Sequence, residues 1–400
     1  MRALACLLVF SHHTVQRLNF DALTGGWQPF YLFFNMGAFG VGIFFLLSGF
    51  LLARPFWAAF DAGAPMPSLK TYALRRAARI VPGFYVSLTV TLILAVAVFG
   101  TVFDGQLVFR YIAGLLFIGE FHWLTLFPTE VNGPLWSIGM EVASYALLPL
   151  GLVALFALRR TLPGWRGRIV FVAVIGLALL AHYLVATLVP PATEDVGFGH
   201  GMIGGAKFWM PKYNVAGFFT VFAMGSLTAG LSLLWRGKRN LVADVLVLAG
   251  LFGAAWAMWT VSPARAPESF GWLGAPYNFP YFHLGIALAL LAFPHTRLLP
   301  ALSELAPVRY VAKISFGIYI WHFLILELVR QFFAPSFGYA GISSTAYWMT
   351  LTGISLVLAL IAGSLSWYGI EQPILNWAKR LEPGKARGIE PDISPQKLHA

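Results

Sequence analysis

Apolar runs of about 20 residues, the length of a helix crossing a bilayer, alternate with short polar segments along the 400-residue chain. The pattern predicts about ten spans, near 2–20, 34–55, 80–100, 134–158, 167–189, 213–235, 241–260, 276–295, 308–332 and 346–370. A further apolar piece, 111–121, is too short to cross and reads as a re-entrant or interfacial segment. The fold class expected is an all-α polytopic membrane protein.

Polar residues inside these spans fall on helical stripes. Arg2 and His13 are eleven steps apart, about 1100° of rotation and therefore on one helix face, roughly 16 Å apart along the axis. His12 falls about 80° off that line. A guanidinium and an imidazole on one face inside hydrocarbon mark a pathway or a reaction centre; an anchor at one end and an interfacial residue at the other is the plainer alternative. In the fourth span Ser137, Glu141, Ser144 and Tyr145 share a face looking into the bundle. Glu141 must pair, be protonated or face water there, and a histidine would suit it; a structural ion pair is the alternative. In the ninth span Ser315, Tyr319 and His322 form a second stripe, which an aromatic belt beside Trp321 would equally explain. Lys313 there reads as a snorkelling side chain.

Between the second and third spans Arg75, Arg76 and Arg79 crowd neighbouring turns. Guanidinium groups fork onto phosphate oxygens, so the cluster suits the phosphates of a nucleotide-containing cofactor, or equally anionic lipid. Gly42, Ser48 and Gly49 are small enough to admit a second helix or a ligand.

Composition agrees with this reading. The chain is 58% hydrophobic and 11% charged, with mean hydropathy +0.74, outside the range of soluble domains. The net charge of +11 is dispersed between spans and does not form a nucleic-acid face. With the N-terminus cytoplasmic, 20 of the 27 Lys and Arg residues lie on the inner side, which places both termini in the cytoplasm. A lone cysteine, Cys6, excludes disulfides and cysteine-metal chemistry, and the histidine spacing offers no zinc site. The opening run lacks a small-residue cleavage site, so no signal peptide is expected, and the native start is expected upstream of Met1. Residues from about 382 to 400 are polar and expected to form a disordered cytoplasmic tail.

The segments RALACLLVFSHH, GVGIFFLLSGFLL, ALRRAARIVPGFY, NGPLWSIGMEVASYALLPL, SFGIYIWHFLIL and EQP at 371–373 occur in the order seen in acyltransferase family 3, which this chain resembles from residue 2 to about 380. The resemblance implies about ten helices around a central cavity, forming one integral membrane acyltransferase domain over 1–381. It also implies acyl-CoA, in the first place acetyl-CoA, as co-substrate, and a hydroxyl of an extracytoplasmic acceptor, typically a cell-envelope carbohydrate. The compartment implied is a bacterial inner membrane. Carried over, His13 is the essential histidine and Arg2 its motif partner; Ser48, Trp136, Ser137 and Glu141 fall on motif positions. The soluble hydrolase-like domain fused to some members is not expected in this chain.

The expected chemistry has His13 as general base on the acceptor hydroxyl, with Glu141 orienting the imidazole; an acyl-histidine intermediate is the competing version. Arg2, Arg75, Arg76 and Arg79 would hold the CoA phosphates, and Ser48, Trp136, Ser137, Tyr145, Tyr319 and His322 would contact the substrates. No metal is required. A transporter or flippase is the rival from another class, though no internal repeat or paired broken helices are visible. A lipid-linked glycosyltransferase would present carboxylates in its first outer loop, where only Asp21 lies.

Overall fold

A computed structural model describes residues 1–23, 26–190, 192–235, 237–266 and 269–382. The tail expected over 382–400 lies, apart from Glu382, outside the described residues. In chain order the helices are α1 (Arg2–Val15), α2 (Gln28–Asn35), α3 (Gly40–Asp61), α4 (Leu69–Ala97) and α5 (Gly105–Leu115). Next come α6 (Trp123–Leu126), α7 (Trp136–Ala157), α8 (Arg168–Leu188), α9 (Gly201–Trp209), α10 (Val215–Ser232) and α11 (Leu241–Val261). The last are α12 (Tyr281–Ala292), α13 (Leu299–Ser303), α14 (Ala306–Phe332), α15 (Thr345–Ser366) and α16 (Gln372–Arg380). Among the described residues β-structure is confined to two isolated bridges.

Among the described residues eight helical segments are long and apolar enough to cross a bilayer. The remaining two of the ten expected spans are also helical but shorter: α1 has 14 residues, and Tyr281–His295 is a short apolar helix. The protein is an all-α, multi-pass membrane protein. The piece near 111–121 is the end of α5, which has 11 residues and cannot cross. Its Arg110 is buried and donates to the Phe127 carbonyl and to Glu130. Polar side chains start several apolar helices: Ser68 accepts from the Thr71 amide, Asp104 from Leu107, Asn214 from Gly217 and Asn240 from Ala243.

Helices α3 and α10 form the centre. In the most apolar stretch of each, 72% of residues are buried, against 22% for the segment containing α8, which lies at the periphery. The α3–α10 contact depends on two glycines. A Cβ on Gly49 would lie 1.9 Å from the Phe222 carbonyl oxygen, and one on Gly225 would lie 1.9 Å from that of Leu46. Two backbones in direct contact cannot yield to a side chain as a flexible neighbour would. At one end Arg168 of α8 grips Asp61 of α3 at 2.5 and 2.6 Å and the Gly230 carbonyl of α10 at 2.7 Å, with the Trp57 ring beneath it. This clamp fixes the bundle around which α1, α7 and α14 build the polar interior.

Replacing Gly225 by valine is expected to cost at least the about 1–3 kcal/mol of ordinary overpacking, because backbone stands in the way. A thermal unfolding midpoint in detergent equal to that of the unaltered protein would contradict this packing.

Candidate active site

The polar residues sort into two cavities at opposite ends of α1. At the Arg2 end a cavity of about 60 Å³ is lined by Arg2 of α1, Ser48 of α3, Arg76 and Arg79 of α4, Glu141 and Tyr145 of α7 and Tyr319 of α14. Glu141 and Tyr145 meet because they are one turn apart. The Tyr145 hydroxyl donates to Glu141 Oε1, and Ser48 Oγ donates to the same oxygen at 3.0 Å. Arg79 donates to Glu371 at 2.7 Å, its guanidinium lying near the Phe316 and Trp367 rings. Glu371 is brought there by a π-helical turn, Trp367–Glu371, between α15 and α16, and also accepts from Ser366. Arg75, one turn nearer the start of α4, turns outward and forks onto Glu382 at 2.7 and 2.6 Å. The three arginines therefore do not act as one cluster. Arg76, whose Nε is buried without a hydrogen-bond partner, and Arg2 face the cavity with no carboxylate paired to them among the described residues.

At the other end a cavity of about 700 Å³ is lined by His12, His13 and Gln16, with Asn35, Trp136, Trp209, Tyr213, Phe323 and Glu327 around them. His13 Nδ1 lies 3.2 Å from Gln16 Oε1, its ring packed between His12, His322 and, in a T-shaped contact, Phe323 at centroid distances of 4.6, 5.3 and 4.9 Å. The amide oxygen accepts, which puts the proton on Nδ1 and the lone pair on Nε2. His12 Nδ1 is 2.6 Å from the Asn35 carbonyl, and His322 Nδ1 is 2.7 Å from that of Tyr319. A carbonyl only accepts, so these two rings are also protonated at Nδ1. His12 ties α1 to the end of α2. His322 Nε2 is buried with no partner.

The end of α1 is held by Arg17, which is 4% exposed. It donates to Glu327 at 2.7 Å, to the Phe337 carbonyl at 2.5 Å and to the His13 carbonyl at 3.4 Å, while Arg330 takes the second oxygen of Glu327 at 2.7 Å. Between the cavities stands a thin partition. Ser137 Oγ and the Tyr319 hydroxyl are 2.5 Å apart, and each lies 3.2 Å from the Pro134 carbonyl.

Of the residues singled out in the sequence, Arg2, Ser48, Arg76, Arg79, Glu141 and Tyr145 share the smaller cavity, Ser137 and Tyr319 the partition, and His13 and Trp136 the larger cavity. His322 stands against His13, and Arg75 stands apart. The expectation that Glu141 orients His13 requires correction. Glu141 is committed to Ser48 and Tyr145 in the other cavity, and Gln16 occupies the orienting position. Gln16 was legible as the residue three positions after His13; Arg17 and Glu327 were legible only as charges, without their pairing.

Residues 1–364 match the family model described as "Acyltransferase domain". Acyltransferase MdmB of Streptomyces mycarofaciens is 28% identical over 96% of this chain and 92% of its own length. Peptidoglycan O-acetyltransferase OatA of Listeria monocytogenes is 23% identical over 94% of this chain and 54% of its own. Nodulation protein 10 of Rhizobium leguminosarum is 25% identical over 93% and 90%. The chain thus spans about half of the peptidoglycan O-acetyltransferase and nearly all of the other two. No solved structure matches.

Removing one partner of a buried ion pair strands the other, so Glu327→Ala is expected to lower stability by about 3–5 kcal/mol. Adding Arg17→Ala to it should cost little more, because the two form one unit. Thermal unfolding of the single and double variants checks this; fully additive losses would show independent sites.

Proposed function

Since the chain belongs to this acyltransferase family, we propose that it moves a small acyl group, in the first instance acetyl, from acyl-CoA bound at the Arg2 end to a hydroxyl held in the His13 cavity. The observation that carries this is the placement of His13. Its Nδ1 is held by Gln16, and it faces a cavity of about 700 Å³ at the opposite end of the same helix from Arg2. Arg2 and Arg76 lack carboxylate partners among the described residues and suit phosphate oxygens. Arg79 adds charge although Glu371 already holds it. The excess of Lys and Arg supports placing this end and both termini in the cytoplasm, where acyl-CoA is made, with the protein in a bacterial inner membrane.

The pantetheine arm, a flexible chain, carries the thioester along α1 toward His13. His13 Nε2 takes the proton of the acceptor hydroxyl as its oxygen attacks the thioester carbonyl. The C–S bond breaks, and the same proton passes to the departing thiolate, giving the ester and CoA. Holding thioester and hydroxyl together in one cavity supplies the proximity term. Trp136, Trp209, Tyr213 and Phe323 offer broad apolar faces for an acceptor ring, with Gln16 and Asn35 beside them. That lining, with relatives named for peptidoglycan O-acetylation, supports an envelope carbohydrate or a glycosylated compound as acceptor.

His13→Ala is expected to reduce label transfer from acetyl-CoA to an envelope-glycan extract by about 10²–10⁴-fold, the usual worth of a general base. His12→Ala, which loses only the tie to Asn35, should lose much less. Arg2→Ala is expected to raise the KM for acetyl-CoA while leaving kcat nearly unchanged. Full turnover by His13→Ala, or no acetyl-CoA consumed by the unaltered protein with any acceptor, sinks the proposal and returns a transporter to the front.

A further inference from the structure

Resting on that reading, the geometry points to Tyr319 as the gate between the donor and acceptor cavities, latched by Ser137 when no donor is bound and opened by the thioester arm itself. The Tyr319 hydroxyl of the smaller cavity lies 3.2 Å from the carbonyl of Pro134, which lines the larger. Tyr319 and Ser137 face the smaller cavity, Pro134 and Trp136 face the larger, and the hydrogen-bonded cluster of Ser137, Tyr319 and the Pro134 carbonyl joins them. Phe44 of α3 lies edge-on against the Tyr319 ring, centroids 5.7 Å apart, and completes the plug. Tyr319 is 6% and Ser137 4% exposed, so both are buried at this junction.

A cavity of about 60 Å³ is close to the space of a few waters and is narrow for a pantetheine arm. With Tyr319 hydrogen-bonded to Ser137 and near the Pro134 carbonyl, the donor has to displace the phenol to reach His13. The latch suits that task. It consists of neutral hydrogen bonds, weaker than the charge-assisted pairs at Arg79 and Arg17. Ser137 keeps the Pro134 carbonyl at 3.2 Å when Tyr319 leaves, so opening strands no buried hydroxyl on α7.

A gate is also needed for a second reason. The smaller cavity reaches half-buried Arg2 and Arg76 at one end of the bundle, and the larger reaches Tyr339, 80% exposed, at the other. Joined without a plug, they would form a polar path from end to end. Closed around the thioester arm, Tyr319 also keeps water of the donor side from the carbonyl. Without the latch, water attacks there, the C–S bond breaks, and acetate and CoA thiol form with no acceptor consumed.

Two readouts test this on purified full-length protein in liposomes. Without donor, proton entry reported by a trapped pH-sensitive dye should be as slow for the unaltered protein as for empty liposomes, and several-fold faster for Tyr319→Ala. With acetyl-CoA, Tyr319→Phe, which keeps the ring and loses only the latch, should raise the ratio of acetate released to acetyl transferred several-fold. Liposomes with Tyr319→Ala as tight as the unaltered ones, or an unchanged ratio in Tyr319→Phe, overturn the gate. Should Tyr319→Ala fail to fold, the phenylalanine variant decides. If the unaltered protein consumes no acetyl-CoA, the donor reading fails, while the leak comparison still judges the seal.

Discussion

A charge placed in an apolar bundle has to be answered locally, and that constraint organises this structure. Arg17 with Glu327, Arg79 with Glu371, Arg110 with Glu130 and Arg168 with Asp61 all answer it. Three of the four tie together segments far apart in sequence, so each also acts as a staple. Arg17 anchors the end of α1 to α14, Arg79 anchors α4 to the turn before α16, and Arg168 anchors α8 to the α3–α10 centre. Breaking such a pair leaves a stranded ion, which is why the staples hold. Whether they are also worth more than hydrophobic replacements is a separate question, and buried pairs often are not. What remains after pairing is informative. Arg2, Arg76 and the Nε2 face of His13 carry chemistry that the fold itself does not consume.

Much of this was legible in the residues. Periods of about 20 apolar positions located the eight helical segments that, among the described residues, are long and apolar enough to cross, because only a helix or a closed barrel satisfies the backbone in lipid. The face shared by Arg2 and His13 followed from helix geometry alone, and the structure places the two in cavities reached from opposite ends of α1. The partners were not legible. Arg17 and Arg110 stand out in the sequence only as isolated charges, yet both are 4% exposed or less and hold carboxylates. Loop charge bias is a statistical property of segments, whereas pairing depends on which helix stands opposite. Arg75, Arg76 and Arg79 looked like one cluster because they are close in sequence. The carboxylates that separate them, Glu382 and Glu371, come from the far end of the chain. Glu141 was misassigned for the same reason. Its stripe on α7 was correct, but which end of the neighbouring helix it faced depended on packing.

The exchange of Glu141 for Gln16 beside His13 changes the chemistry and not only the naming. In a triad the third residue is a carboxylate that both orients the imidazole and stabilises the charge it acquires. An amide does only the first. The contacts of His13 are Gln16, His12, His322 and Phe323, with Arg17 at its own carbonyl, and none of these carries a negative charge. The nearest carboxylate in this network, Glu327, is already shared by Arg17 and Arg330. On the proposed reading a proton received by Nε2 is therefore passed on within the same turnover, and the departing thiolate is the group that needs it. The arrangement fits single-step base and acid catalysis by one histidine better than a long-lived charged or acylated intermediate. On the same reading, donor and acceptor have to be present together for transfer. With the route closed at Tyr319 until the thioester arrives, His13 meets a leaving group only when there is one to protonate.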